Sequence, residues 1–118
     1  MADTQRPDGV LTLELCGREF GVKRTFDLIV RIEDVTGQSA MALGTRAANL
    51  ELPLGDFVKV LHEMVKREDK PPTRQQIGDA VLADGALGLM ASVAGFLVQT
   101  YVGHRAEAKF KDASEDPT

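Results

Sequence analysis

The sequence predicts an α+β protein, mostly α, in which an N-terminal antiparallel β-hairpin is followed by four to five packed helices. Three observations predict it. Apolar residues alternate with polar ones over residues 10–23, helical spacing takes over from residue 25 onward, and a capping residue, glycine or proline punctuates each later segment.

Over residues 10–16, Leu11, Leu13 and Leu15 share one face while Thr12 and Glu14 share the other, the period of a half-buried strand. Gly17 and Arg18 supply a turn, and residues 19–23 alternate again through Phe20 and Val22. A lone hairpin is barely stable, so its apolar face requires helices to cover it.

Thr25 caps a first helix whose stripe is Leu28, Ile32 and Val35, widened by Phe26, Ile29 and Val30, and Gly37 closes it as a left-handed cap. Ser39 opens a short helix over residues 40–48, with Met41, Leu43 and Ala47 pointing inward. Pro53 suits the first turn of a third helix through Phe57, Val60, Leu61, Met64 and Val65, which Pro71 and Pro72 terminate. Thr73 and Gln76 form a capping box ahead of a fourth helix carrying Ile77, Val81 and Leu82.

The fifth helix begins near Ala86. Its residues Leu87, Leu89, Met90, Val93, Phe96, Leu97, Tyr101 and Val102 cover most of its circumference, so it is expected at the centre of the fold or at an interface. Gly88, Ser92 and Gly95 lie three or four apart and leave one side narrow enough for another backbone, in core packing or in self-association as a homo-oligomer. Residues 1–9 read as a disordered arm, residues 10–104 as one globular domain (hairpin to residue 24, helices after it), and residues 105–118 as a charged tail into which the helix extends towards Phe110 before fraying.

The 118 residues are enough for one core. An apolar share of 43% with 27% charged residues is that of a globular protein. A net charge of -4 opposes binding to a phosphate backbone, so no nucleic-acid partner is expected. The stretch over residues 86–102 is too short and too interrupted for a membrane span, and residues 1–9 hold no apolar signal segment. The single cysteine, Cys16, cannot form an internal disulfide and fits a small buried hydrophobe in a reducing compartment.

Catalytic or metal chemistry finds little to work with. His62, His104 and Cys16 lie on different segments, and although His62-Glu63 starts like a zinc-peptidase helix, Lys66 stands where the second histidine ligand is required. Glu63 then belongs to a solvated helix face. Glu33 with Asp34, and Glu68 with Asp69, are neighbours that point apart on a helix and read as surface charges. The mixed-sign run at residues 66–70 serves solubility. No cofactor, metal or catalytic residue is expected, and the chain reads as a non-enzyme.

The order of parts carries a resemblance. A short hairpin with a glycine turn leads into Arg24-Thr25-Phe26-Asp27 and then Ile29-Val30-Arg31-Ile32-Glu33-Asp34-Val35-Thr36-Gly37. This resembles the gene transfer agent family of phage-tail proteins, regarded as tail assembly chaperones. There a strand pair of the form L-x-L-x-G precedes a T-F-x-x-L-x-x-I-E-x-x-x-G helix, which Thr25, Phe26, Ile32, Glu33 and Gly37 fit, with Ile29 near the apolar slot. Leu54, Asp56, Phe57, Val60 and Leu61 match the family's third helix, and Thr73, Ile77 and Gly78 its polar fourth, so the resemblance runs from Val10 to Tyr101.

The resemblance implies a protein in the cytoplasm of the bacterial host that binds the tape-measure protein, keeps its apolar repeats soluble and helps recruit tail-tube subunits. The alternatives are a structural virion component, such as a tail-tube or connector subunit, and a small enzyme or regulator resting on His62, Glu63 and Cys16. A client-holding protein needs exposed aliphatic surface and adaptable contacts, which Met41, Met64 and Met90 help to supply. The expected partner-binding surface is the fifth helix, through Leu89, Phe96 and Tyr101, together with the hairpin edge.

Overall fold

A computed structural model describes residues 9–103 of the chain. Two strands, β1 (Val10–Leu15) and β2 (Arg18–Lys23), precede five helices: α1 (Phe26–Thr36), α2 (Ala40–Ala48), α3 (Leu54–Val65), α4 (Arg74–Asp84) and α5 (Leu87–Val102). The expected class and element order are those observed. The expected tail at 105–118 and all but Gly9 of the expected arm lie outside the described residues.

The hairpin turns one residue earlier than the sequence suggested. Leu15 pairs with Arg18, so Cys16 and Gly17 form a two-residue loop. Both have positive φ, 54° and 74°, the requirement of a type I′ turn, whose twist matches that of the flanking strands. Cys16 therefore sits in the turn, half-exposed, and not on the buried face expected for it. Leu11, Leu13, Leu15, Phe20 and Val22 form that face.

Helix ends follow their capping chemistry. Thr25, Ser39 and Thr73 each accept a backbone N–H through the side-chain oxygen, the last within a complete capping box with Gln76. Gly37 closes α1 in the left-handed conformation. At the end of α2 the same device appears with a different residue: Leu50 has φ 59°, its N–H bonds Ala47 O at 3.1 Å, and Glu51 N–H bonds Arg46 O at 2.8 Å. That is a Schellman motif with leucine where glycine usually stands.

The buried side chains form one cluster, from the hairpin's inner face through Ile32, Leu43, Phe57, Leu61, Ile77, Phe96 and Leu97. α1 lies against α3, α3 against α4, and α2 against α5, with β2 touching α3 and β1 touching α5. The close helix approach is made by Gly44 of α2. A Cβ there would meet Val98 Cγ2 at 2.8 Å, Ala94 O at 3.2 Å and Leu97 Cβ at 3.3 Å. Gly88, expected on a narrow packing side of α5, has open space around it instead.

Three inward assignments change for the same reason. Met41, Leu82 and Phe26 are 38%, 72% and 86% exposed, because each lies at the margin of its helix's apolar stripe and no neighbouring element covers that margin. α5 ends at Val102, and Gly103, with φ 79° and ψ 139°, leaves helical geometry; the expected extension towards Phe110 lies outside the described residues.

Candidate partner-binding surface

α5 carries no charged residue along its length. Met90, Val93, Ala94, Phe96 and Leu97 are buried, and α2 covers much of that side. Its two ends are left to solvent: Leu87 is 68% exposed, with Ala91 exposed one turn on, and Val102 is 41% exposed at the far end, while no residue over 92–100 is exposed. Tyr101, 54% exposed, adds a phenol beside Val102. The helix is thus enclosed along its middle and open at its ends.

The expected partner-binding residues separate accordingly. Phe96 is 1% exposed and belongs to the core, which corrects its expected place at the surface. Its burial has a specific cause: the Arg24 guanidinium lies over the ring at 5.6 Å from the centroid and donates to Phe96 O at 3.3 Å, clamping the end of the hairpin onto α5. Leu89 is half-buried and packs against the core. Tyr101 alone of the three is open to a partner. Leu87 and Val102 join it, and their exposure follows from where α2 stops covering α5, which no periodicity in α5 records.

The charged residues of α1 and α3 form a network. Glu63, expected on a solvated face, is 5% exposed; its carboxylate accepts from Arg31 at 3.0 Å and from Lys66 at 3.0 Å. Arg31 also contacts Asp27 at 2.9 Å, and Arg67 contacts the same carboxylate at 2.9 Å. The Arg31 and Arg67 guanidiniums hold the Asp27 carboxyl below its ordinary range, the hydrogen bond from Arg31 being the largest cause. Glu33, also expected as a free surface charge, caps the start of α2 through the Ala40 N–H at 2.8 Å. These carboxylates hold the fold together.

His62 sits half-buried beside this network, and its Nδ1 has no hydrogen-bond partner. Burial, then the positive charge of Arg74, push its pKa down, while Glu63 partly offsets them. Lowering favours neutral imidazole, but its neighbours do not form a nucleophile–base pair.

At the hairpin tip, Cys16, Arg18, Lys70, Pro72, Gln76, Asp79 and Ala80 line an open groove of about 440 Å³. Arg18 is already occupied: it lies over the Phe20 ring at 4.6 Å and donates to Lys70 O at 2.7 Å and Asp69 O at 2.9 Å. The run at residues 66–70 therefore anchors the hairpin as well as carrying solvated charge. The Cys16 thiol donates weakly to Gln76 O at 3.7 Å, and burial, followed by the Asp84 carboxylate, pushes its pKa up. A raised pKa means little thiolate at neutral pH, the reverse of what a nucleophile needs.

Among the described residues, no group of three His, Cys, Asp or Glu side chains is placed to hold a metal ion. None of the described helices is long and apolar enough to cross a membrane. Compared with protein-family models, with curated proteins and with solved structures, the chain finds no match.

Proposed function

We propose that the protein is a non-catalytic polypeptide-binding protein, a phage-type tail assembly chaperone that holds apolar helical stretches of a tape-measure protein in the bacterial cytoplasm. The observation that carries the reading is the exposed apolar residues at the two uncharged ends of α5, Leu87 with Ala91 and Tyr101 with Val102. Apolar side chains left open to water are places where another apolar segment lowers the free energy by leaving water. Aliphatic contact is tolerant of sequence, which suits a client built of variable apolar repeats. The resemblance of residues 10–101 to gene transfer agent tail proteins names the client and adds tail-tube subunits as the next partners.

Co-expression with a phage tape-measure protein tests the reading. A stable complex and a gain in client solubility are expected, and Leu87→Ser with Tyr101→Ser should abolish both while leaving the fold intact. No complex, and no change in client solubility, would sink it. Recovery of the protein from purified tails in stoichiometric amount would instead make it a structural virion component.

A further inference from the structure

The hairpin ladder sorts its residues into two sets. Leu15 faces Arg18, Leu13 faces Phe20 and Leu11 faces Val22, and the Arg24 N–H to Gly9 O bond of 3.0 Å continues that hydrogen-bonded series by one step. Hydrogen-bonded and non-hydrogen-bonded pairs alternate in an antiparallel ladder. Glu19, Gly21 and Lys23 therefore turn their N–H and C=O groups away from β1. No partner for these groups is found among the described residues.

All three residues are exposed. A Cβ built on Gly21 would meet nothing closer than Val10 Cγ1, at 3.9 Å, so no other element crosses the middle of the strand on its outer face. β1 and β2 each touch one helix, α5 and α3, but Thr12 on the β1 side is half-buried where its cross-strand partner Gly21 is exposed. β2 thus offers an open, unpaired edge, which is a template for another strand.

The order of charges along that edge says which strand fits. We infer that a second copy of this chain pairs its own β2 antiparallel along it, in an isologous dimer centred on Gly21. About a two-fold axis at Gly21, Glu19 lies opposite the partner's Lys23 and Lys23 opposite the partner's Glu19. Opposite-charge cross-strand pairs stabilise and like charges destabilise. In this register the outward backbone groups of Glu19, Gly21 and Lys23 all find partners, and the two glycines meet where side chains would crowd. Sliding the copies by two residues sets each charge against an uncharged residue, Gly17, Gly21 or Thr25, and by four sets Glu19 against Glu19 or Lys23 against Lys23, so the Glu-x-Gly-x-Lys order selects one register. This inference is independent of the chaperone reading, since it uses the hairpin edge and leaves the exposed ends of α5 free.

A charge-swap series on the full chain, followed by sedimentation equilibrium, tests it. The wild type should dimerise reversibly, with the Glu19, Gly21 and Lys23 amides gaining hydrogen-exchange protection as concentration rises. Lys23→Glu or Glu19→Lys alone should raise the dissociation constant about tenfold. Mixing those two variants in equal amounts should restore association, because each then faces its opposite charge. Circular dichroism of each variant separates lost association from lost fold. A wild type that stays monomeric at millimolar concentration would reassign Glu19 and Lys23 to edge protection and overturn the proposal. So would a dimer whose β2 amides stay unprotected, or one indifferent to the swaps.

Discussion

The Arg31 guanidinium of α1 lies 3.0 Å from the Glu63 carboxylate of α3, and Glu63 is among the most buried polar side chains described. Arg31 also reaches the Glu63 backbone carbonyl at 3.2 Å, so one side chain meets both an ionised and a neutral acceptor across the helix pair. Removing it leaves a buried carboxylate with Lys66 as its remaining cation. Arg31→Ala should cost about 2–4 kcal/mol in urea unfolding. The pair Arg31→Met with Glu63→Leu should recover most of that, since packed apolar groups can replace a buried ion pair at little net cost. A cost within about 0.5 kcal/mol for Arg31→Ala would show the network to be surface-like.

Gly44 and Gly88 test helix packing in opposite directions. Alanine at position 44 gains about 1 kcal/mol of helix propensity but drives its methyl into Val98 Cγ2 at 2.8 Å and the Ala94 carbonyl at 3.2 Å. Gly44→Ala should be destabilising by about 1–3 kcal/mol. Gly88→Ala meets nothing within 4 Å and should raise the melting temperature. If both substitutions stabilise, α2 and α5 do not approach as described.

Phe96 and Tyr101 separate core from surface on one helix. Phe96→Ala should cost about 3–5 kcal/mol, because it empties a site that is 1% exposed and removes the ring under Arg24. Tyr101→Ser should change stability by no more than about 0.5 kcal/mol while weakening client capture. Pull-down of the client by a folded Tyr101→Ser, Leu87→Ser variant at wild-type level would remove the ends of α5 from the binding surface.

His62 should make the protein sensitive to mild acid. Its pKa is lowered from the ordinary 6.5 by burial and by Arg74, so the unfolded chain binds this proton more readily than the folded one. The contribution is absent above the unfolded value. As pH falls through 6.5 towards the lower folded value, stability is lost, and below the folded value the loss is complete. His62→Gln should flatten the stability profile as pH falls through 6.5. An unchanged slope would show that His62 is solvated.

Leu50 stores backbone strain at the end of α2. Its φ of 59° places a side chain with a Cβ in the left-handed region, at a cost of about 1–2 kcal/mol, and it is 57% exposed, so little packing offsets this. Leu50→Gly should keep the Schellman hydrogen bonds and raise stability by about 0.5–1 kcal/mol in thermal unfolding. A loss of stability would mean that the leucine side chain makes contacts in solution that outweigh the strain.

Local chemistry was legible in the chain because it depends on neighbours in sequence. The alternation through Leu11, Leu13, Phe20 and Val22, the caps at Thr25, Ser39 and Thr73, and the stop at Gly37 each act within a few residues, and all operate where expected. Which side of each element meets another is a relation between distant residues, and only the assembled fold decided it. Thus Glu63 turned inward because Arg31 stands across from it, Phe96 was enclosed beneath Arg24, and Gly44 was needed because α2 crosses α5 there. An uncharged helix has the same sequence whether its faces are packed or open. Leu87 and Val102 are exposed because the neighbouring elements enclose only the middle of α5, and the β2 edge is free because β1 is its sole strand neighbour among the described residues.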